Sequence, residues 1–441
     1  MNTSKSNITV EFVAALSTYL TMSYIFLLNP ILLAKIDGVS ITAVFGATVL
    51  TAVFSTLVMG LWAKAPFAAA PVPSITTFFV GYVVLTLGLT FEQALAAVLL
   101  SGALSLIMTT FSIKGKIVDS VSPLVSYGVL AALCGFLLAV GLKQANLIQY
   151  QNGLFSALTL NTEGLVILGA GLFVSVLFNN QNIPGPLIGL LAASIIAFLY
   201  GHRGVSEAEF STELFSYVGA IEFSAIAKVV SSIDFFIAVI VFFVIDFFAG
   251  VGKYIGLFQA LKSDKTDGSE LFNDEESKTK LSRSLYSDGL GNIFGSVFGA
   301  GSVAVFVSSA VGVKAGGRTG LTAVFIAVLM AISIAFIPLV GIIPTIAISG
   351  ILVYIGFILL PIRRIRSEID ARAIGWIEVS LCVVAAMLSL FTFSLDLAIA
   401  LVFSLNSILL LITSGDTIGK HALFHLSSVI LAFAVGYKYV V

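Results

Sequence analysis

Two interrupted apolar stretches decide the fold: Ala-Pro-Val-Pro-Ser-Ile-Thr-Thr at residues 70–77 and Gly-Ala-Gly-Ser-Val-Ala-Val-Phe-Val-Ser-Ser at residues 299–309. Proline removes a backbone donor and glycine permits extended backbone, so each stretch is predicted to begin as an extended strand and finish as a short helix. At membrane depth such backbone is tolerated only where protein or a polar cavity satisfies its hydrogen bonds. The two stretches therefore predict discontinuous segments inside a helix bundle.

The composition excludes a water-soluble protein. Of the 441 residues, 59% are hydrophobic and 10% are charged, and the mean hydropathy is +1.10. A spanning helix needs about 20 apolar residues, so the chain has room for roughly a dozen or more spans. It is predicted to be an all-α polytopic membrane protein. The 22 basic and 23 acidic residues nearly balance, which argues against a nucleic-acid partner.

Hydropathy, punctuated by Gly, Pro and charge, divides the chain into two seven-segment repeats, at residues 1–201 and 233–414. Residues 202–232 form a polar and interfacial connection between them, and residues 415–441 form an apolar tail in which the spanning status of 422–437 is open. The first segment is predicted to be a retained span rather than a signal peptide. The predicted segments are 9–34, 41–62, 66–88, 91–112, 124–146, 164–179, 183–201, 234–259, 284–299, 300–313, 319–338, 342–361, 375–392 and 395–414.

The distribution of Lys and Arg predicts the orientation of the chain. Loops after even-numbered segments hold fourteen of these residues and loops after odd-numbered segments hold four. Cytoplasmic loops retain basic residues, so the N-terminus is predicted to be cytoplasmic and the protein to lie in the cell membrane. With seven segments in each half, the second half enters from the opposite side, which is the condition for an inverted repeat.

Asp246 is the most prominent candidate for a functional residue, because an apolar run flanks it on both sides. A charge at this depth costs a few kcal/mol, so it should face a cavity or a partner. The alternative is a structural ion pair or a hydrogen bond between helices. Lys253 follows seven residues later on the same helical stripe, about 10 Å along, with Gly250 between them. Lys253 either contacts the solute or reaches the cytoplasmic interface, and the glycine either leaves room for a ligand or permits close helix packing.

Hydroxyl side chains cluster in the two interrupted stretches, near the predicted starts of their short helices. Free backbone N–H groups at helix starts favour electronegative ligand atoms, although serine and threonine are also common packing residues in membrane helices. The candidates for substrate binding are Ser74, Thr76, Thr77, Ser308 and Ser309. Other acids, Glu11 and Asp288 among them, lie nearer segment ends, where solvated or pairing roles are expected.

No nucleotide-binding loop or metal-ligand spacing occurs in the chain, so we expect no cofactor and no metal, and any pumping must be driven by an ion gradient. An enzyme would need paired catalytic groups, whereas only one mid-span carboxylate stands out. Broken helices can also form pores, and transport that does not saturate would favour a channel.

Two further stretches carry a resemblance to a known family. Glu-Phe-Val-Ala-Ala-Leu-Ser-Thr-Tyr-Leu-Thr-Met-Ser-Tyr-Ile-Phe-Leu-Leu-Asn-Pro at 11–30 and Ala-Gly-Gly-Arg-Thr-Gly-Leu-Thr-Ala-Val at 315–324 closely resemble the AzgA-like adenine/guanine/hypoxanthine permeases, which are nucleobase-cation symporters. The resemblance implies fourteen spans in a seven-plus-seven inverted repeat, a core domain that moves against a gate domain, proton-coupled uptake and a possible homodimer.

The candidate binding positions depart from the family pattern. Asp246 keeps the first carboxylate of segment eight, but Ala249 stands where a second one is usual and Lys253 where a threonine is usual. Ser308 stands where a substrate-binding glutamate is expected, and Thr76 replaces the usual asparagine. A carboxylate can accept two hydrogen bonds from the N–H edge of a purine, and a serine hydroxyl cannot match its charge.

Two functional hypotheses follow. The first is a purine nucleobase symporter in which Asp246 serves both the substrate and the coupling proton. The second keeps the fold but moves a small anion or another polar metabolite that contacts Lys253, because the site has lost negative charge and gained a positive one. If Asp246 pairs with Lys253, the carboxylate is held ionised, which would disfavour proton coupling.

Overall fold

The computed structural model shows the architecture of most of the chain. It describes residues 8–110, 123–151, 154–178, 185–204, 212–219, 221, 232–246, 250, 253–254, 257–258, 261, 275–306, 308–359, 375–413 and 429. The apolar stretch 422–437, whose spanning status the sequence leaves open, lies outside these residues apart from Val429.

The first half runs through the seven predicted segments in order, and the third of them is broken. Its last part is a π-helical turn, Phe79–Val84. The elements are α1 (Ile8–Met22), α2 (Ile25–Leu33), α3 (Ile41–Leu61), β1 (Ala69–Pro71), α4 (Pro73–Phe78), α5 (Phe91–Thr110), α6 (Pro123–Gln144), β2 (Ile148–Gln151), β3 (Leu154–Leu158), α7 (Thr162–Leu177) and α8 (Gly185–Leu199).

The second half repeats this order, again with a strand and a short helix in its third segment. Its elements are α9 (Ile233–Val244), α10 (Glu275–Phe298), β4 (Val303–Val305), α11 (Ser309–Lys314), α12 (Gly320–Ile332), α13 (Ile337–Ile342), α14 (Ile348–Leu359), α15 (Gly375–Thr392) and α16 (Leu395–Thr413).

Helix starts are marked by side chains that accept hydrogen bonds from free backbone N–H groups. Ser40, Asn161, Ser232 and Thr319 cap α3, α7, α9 and α12 in this way. Such a cap satisfies a donor that would otherwise be left unpaired in an apolar setting. The segment boundaries therefore follow from local side-chain chemistry as well as from hydropathy.

The packing of the first four segments of each half is reciprocal. α3 packs on α12 while α5 packs on α10, so the second segment of each half contacts the fourth segment of the other. Likewise α1 packs on α12 and α9 on α5, which pairs first segments with fourth segments. Exchanged contacts of this kind are what a two-fold relation between inverted halves produces.

Segments five to seven form a second group with the same reciprocity. α6 and α14, the two fifth segments, pack on each other. α6 also packs on α15 and α16, and α14 packs on α7 and α8. The chain is therefore divided into two helix groups, each built from both halves, as the predicted core and gate would require.

The two interrupted segments meet as a two-stranded antiparallel sheet between the halves. Ala69 pairs with Val305, Ala70 with Ala304 and Pro71 with Val303. All residues of both strands are buried. The prediction that each stretch begins as a strand and finishes as a short helix is confirmed.

Close backbone contact holds α3 against α12. A Cβ atom added to Gly320 would lie 2.0 Å from the carbonyl oxygen of Gly60, and one added to Gly60 would lie 2.7 Å from that of Gly320. Only glycine permits this approach, which is typical of helix packing in membranes.

Glu11 joins the first segment to the start of α12. Its carboxylate is buried and accepts hydrogen bonds from the backbone N–H groups of Arg318 and Thr319 and from the Thr322 hydroxyl. A negative charge at the N-terminus of a helix is stabilised by the unpaired N–H groups there. The sequence predicts a solvated or pairing role for Glu11, and the structure shows that Glu11 pairs with the N-terminus of α12.

Large apolar side chains face outwards on the peripheral helices. Phe173 and Leu177 on α7, with Ile195 and Leu199 on α8, are all more than 60% exposed. Four helices, counting α1 and α2 together, are long and apolar enough to cross a membrane, and eight shorter apolar helices accompany them in the described part of the chain. This outer surface fits a lipid environment.

Two local features differ from the sequence prediction. A hairpin formed by β2 and β3 follows α6, and the Asn-Gly pair between these strands in the sequence is a common hairpin signal. The ninth segment, predicted at 284–299, is also longer than predicted, because α10 begins at Glu275 and includes the polar stretch 275–283. Lys, Glu, Leu and Arg in that stretch are good helix formers, and their propensity extends the helix beyond the apolar part.

Candidate transport site

The sheet of β1 and β4 is held at membrane depth by side-chain hydroxyl groups. The Thr56 hydroxyl donates to the Ala69 carbonyl oxygen at 2.8 Å and lies 3.0 Å from the Ala69 N–H. Ser309 accepts a hydrogen bond from the Ala68 N–H at 3.0 Å, and the Phe306 N–H donates to the Ala68 carbonyl oxygen. Extended backbone is thus satisfied by protein, as an apolar surrounding demands.

Asp246 is fixed to the start of β4. It lies two residues beyond the end of α9 and is 5% exposed. Asn292 on α10 donates to its Oδ2 at 2.8 Å, and the Ser302 hydroxyl lies 2.9 Å from both carboxylate oxygens. Asn292 Oδ1 in turn accepts from the Val303 N–H at 2.7 Å. The carboxylate is therefore connected directly to the broken segment of the second half.

Gly250 lies close to Asp288 on α10, and Lys253 follows Gly250 by three residues. A Cβ atom added to Gly250 would lie 3.8 Å from Asp288 Oδ2. Lys253 is near enough to Asp246 and Asp288 for the charges to interact, and all three side chains are at least nine-tenths buried. Segment eight and α10 thus bring one ammonium group and two carboxylates together.

The predicted hydroxyl residues have different surroundings. Ser74, Thr76, Thr77 and Ser309 are buried. Thr76 donates to Asn29 Oδ1 at 2.5 Å, so its hydroxyl group is turned towards α2. The hydroxyl groups of Thr77 and Ser308 have no hydrogen-bond partner within the described part of the chain. The residues lie on the two interrupted segments, but a role in substrate binding remains a prediction for each of them.

Sequence reasoning missed three residues of the site: Asp288, Asn292 and Ser302. Asp288 was expected near a segment end with a solvated or pairing role, whereas it is buried in the second half of α10. Asn292 is a polar residue in the apolar run Gly-Leu-Gly-Asn-Ile-Phe-Gly, and Ser302 lies in the glycine-rich stretch quoted first. A polar residue within an apolar or glycine-rich stretch could have marked Asn292 and Ser302 as candidates. The neighbouring sequence, however, does not indicate that the two side chains contact Asp246.

The fold and this buried polar centre define a multi-pass membrane transporter rather than an enzyme. The chain belongs to the family described as "Permease family" (Xan_ur_permease), whose model matches residues 10–384. The resemblance noted from the sequence is therefore confirmed.

Its curated relatives include several permeases. The chain is 30% identical over 361 residues to the Guanine/hypoxanthine permease PbuO of Bacillus subtilis (strain 168), a match that covers 79% of this chain and 78% of that protein. It is 27% identical over 403 residues to the Adenine permease AdeP of Escherichia coli (strain K12), covering 89% and 85%. The Nucleobase transporter PlAzg2 of Paenibacillus larvae is 25% identical, covering 81% and 70%.

Solved structures share the fold at lower sequence identity. The transmembrane domain of the cyanobacterium bicarbonate transporter BicA matches with a TM-score of 0.60 and 16% identity, covering 87% of this chain and 96% of that domain. SLC26A9 matches with a TM-score of 0.64 and 15% identity, covering 93% and 66%. These matches support the seven-plus-seven inverted-repeat fold predicted from the sequence.

Proposed function

We propose that this permease moves a nucleobase, most simply a purine, across the cell membrane by proton symport, with its N-terminus in the cytoplasm. The observation that carries the proposal is the buried Asp246 carboxylate, tied to β4 by Asn292 and Ser302. Relatives named as guanine/hypoxanthine and adenine permeases support the substrate class. The excess of basic residues in even-numbered loops supports the orientation.

Ser302 links the protonation state of Asp246 to the hydrogen bonds that hold the start of β4. Its hydroxyl group lies within 2.9 Å of both Asp246 oxygens and 3.0 Å from Asn292 Oδ1, yet it has a single hydrogen to donate. When Asp246 is ionised, the hydrogen points to the carboxylate. When Asp246 takes a proton, its own O–H donates to Ser302, and the serine hydrogen turns to Asn292, the residue that holds the Val303 N–H.

Uptake by cells that lack their own purine permeases tests the proposal. We expect cells expressing the protein to accumulate radiolabelled hypoxanthine, guanine or adenine, and a protonophore to abolish the accumulation. The Asp246→Asn variant should lose it, whereas Asp234→Asn, the same change in the first turn of α9, should retain it. The protein is not a nucleobase carrier if none of five bases is transported or competes for uptake: hypoxanthine, guanine, adenine, xanthine and uracil.

A second candidate function is transport of a small anion or another polar metabolite. It is favoured by Lys253, a buried ammonium group that forms no salt bridge with the residues the structure describes. A buried charge without a directly bonded partner is costly, and an anion would supply such a partner. Uptake of small organic anions by the wild type, lost in Lys253→Ala, would support this function, and unchanged uptake in the variant would remove its basis.

A homodimer is part of the same proposal and rests on the family resemblance. The exposed apolar side chains of α7 and α8 face lipid or a second copy. The mass of the purified protein in a defined detergent, measured by light scattering with the detergent contribution subtracted, distinguishes one copy from two.

A further inference from the structure

The two helix groups contact each other through polar and aromatic side chains towards one end of the bundle. Lys35 follows the first segment, and its ammonium group donates to the side-chain oxygen of Gln144, the last residue of α6. Gly81, in the third segment, faces the rings of Phe136 and Phe393. Lys35 and Gly81 belong to the first group, and the other three residues belong to the second. Because successive segments alternate in direction, these contacts lie towards the side opposite the basic loops.

Phe393 is held at this end by three neighbours. Its ring centroid lies 5.2 Å from that of Phe136 on α6 and 4.9 Å from that of Tyr150 on β2, and Lys143 Nζ lies 4.6 Å from it. The Tyr150 hydroxyl group donates to the Leu390 carbonyl oxygen at 2.6 Å, which ties β2 to the end of α15. The backbone of Phe393 has a φ of 48°, a left-handed conformation that a bulky residue adopts only where its surroundings impose it. The fold thus fixes the position of this ring.

A row of aromatic rings continues from Phe136 towards Asp246. Phe136 faces Phe78 at the end of α4, with ring centroids 6.3 Å apart, and Phe78 faces Phe242 at 5.1 Å. Phe242 lies about one helical turn before Asp246 on segment eight. The rings of Phe78, Phe136 and Phe242 are fully buried. The row links the segment of Asp246 to this end of the bundle, and burying a polar solute among such rings is costly.

Gly81 is the place where the first group contacts Phe136 and Phe393. A Cβ atom added to it would lie 3.7 Å from Phe393 Cζ and 3.8 Å from Phe136 Cζ, which is ordinary van der Waals contact. A methyl group therefore fits, whereas a longer side chain would push the two rings away. Gly81 lies in the π-helical turn of the segment that also holds β1. A shift of this broken segment against the second group would separate Gly81 from both rings.

We propose that Phe136 and Phe393, packed against Gly81, form a closing contact that shuts the transport pathway at this end, and that the Lys35–Gln144 hydrogen bond stabilises the closed state. The inference needs only that the protein is a transporter, and the orientation proposed above makes this end the outer one. A carrier exposes its site to one side at a time, so the closing contact must open in every cycle. Opening separates the two groups and breaks the ring contact and the hydrogen bond together.

Labelling of a reporter cysteine from outside the cell tests the closing contact. The reporter is Thr77→Cys, one residue before Phe78 and 2% exposed in the wild type, in a chain whose native Cys134 and Cys382 are replaced by alanine. A membrane-impermeant thiol reagent should label it slowly. Adding Gly81→Leu should raise the labelling rate about tenfold, because the open state of such an equilibrium is otherwise populated to about 10% or less. Gly81→Ala, whose methyl group fits, is the matched control and should stay within about twofold of the reporter alone.

A cross-link between the two groups tests whether this contact opens during transport. In Lys35→Cys/Gln144→Cys, again without the native cysteines, a reductant-cleavable bifunctional thiol reagent joins the same two positions. We expect cross-linking to stop hypoxanthine uptake and reduction to restore it. The matched control is Tyr150→Cys/Leu390→Cys, which joins two parts of the second group. Its uptake should be the same before and after cross-linking.

Either of two results would overturn the inference. One is equal labelling of the Gly81→Leu and Gly81→Ala reporters, both shown to be folded by thermal unfolding. The other is uptake that continues at its former rate once Lys35→Cys/Gln144→Cys is fully cross-linked, and this result decides if Gly81→Leu does not fold. Labelling requires no transported base, so it tests the closing contact even where the proposed nucleobase function fails.

Discussion

Replacement of Asn292 by alanine tests whether Asp246 is held in place by α10. The Asn292 side-chain amide donates to Asp246 Oδ2 at 2.8 Å. Its side-chain oxygen, Oδ1, lies 3.0 Å from the Ser302 hydroxyl oxygen and accepts from the Val303 N–H at 2.7 Å. The change removes one hydrogen bond to a charged group, about 1.5–3 kcal/mol, and leaves the buried Val303 N–H unsatisfied, about 1–3 kcal/mol. We expect the variant to be destabilised by roughly 3 kcal/mol or more.

Thermal unfolding of the purified protein in detergent measures this loss, and the initial rate of hypoxanthine uptake at equal protein amounts measures its effect on transport. The control is Asn406→Ala, because the Asn406 side chain is also buried but its amide nitrogen has no partner among the described residues. We expect Asn292→Ala to unfold at a clearly lower temperature than this control and to transport at least about tenfold more slowly, which corresponds to 1.4 kcal/mol. Equal unfolding temperatures and equal uptake would refute the role given to Asn292.

Three further predictions concern residues away from the site. Gly320→Ala places a methyl group 2.0 Å from the Gly60 carbonyl oxygen, so thermal unfolding should show a loss of about 1–3 kcal/mol, and an unchanged midpoint would contradict the close crossing. Glu11→Gln removes the charge at the start of α12 and should lower the unfolding temperature by the equivalent of roughly 1 kcal/mol; no change would mean that the charge is unimportant there. Burial and, secondly, the nearby Lys143 charge lower the pKa of Lys35 from 10.5 to about 8. The unfolded chain therefore binds more protons between these values, and stability should rise as the pH increases from 8 towards 10.5. Lys35→Met should flatten this rise in a pH series of thermal scans, and an equal rise in the variant would assign it to other groups.

The fold could be predicted largely from the sequence because the bilayer restricts the possible structures. Apolar length and capping residues determine the helices, and the Pro-rich and Gly-rich stretches indicate the two strands before any contact is known. The hairpin of β2 and β3 and the early start of α10 were missed because hydropathy is a poor guide outside the apolar segments.

The site was harder to predict because its contacts join distant parts of the chain. Asp246 stood out as an acid in an apolar run, but its partners Asn292 and Ser302 lie 46 and 56 residues away. Helical periodicity placed Lys253 on the stripe of Asp246 but gave no information on which face of α10 would meet it. Asp288 therefore became a candidate only when the packing of α10 was known.

Hypoxanthine uptake into proteoliposomes that contain the purified protein tests the central claim most directly. With an alkaline interior and an acidic medium, the wild type should concentrate hypoxanthine above its external level, and collapse of the proton gradient should release it. Asp246→Asn, reconstituted at the same density, should fail to concentrate it. Accumulation by Asp246→Asn equal to that of the wild type would contradict the role of the buried carboxylate.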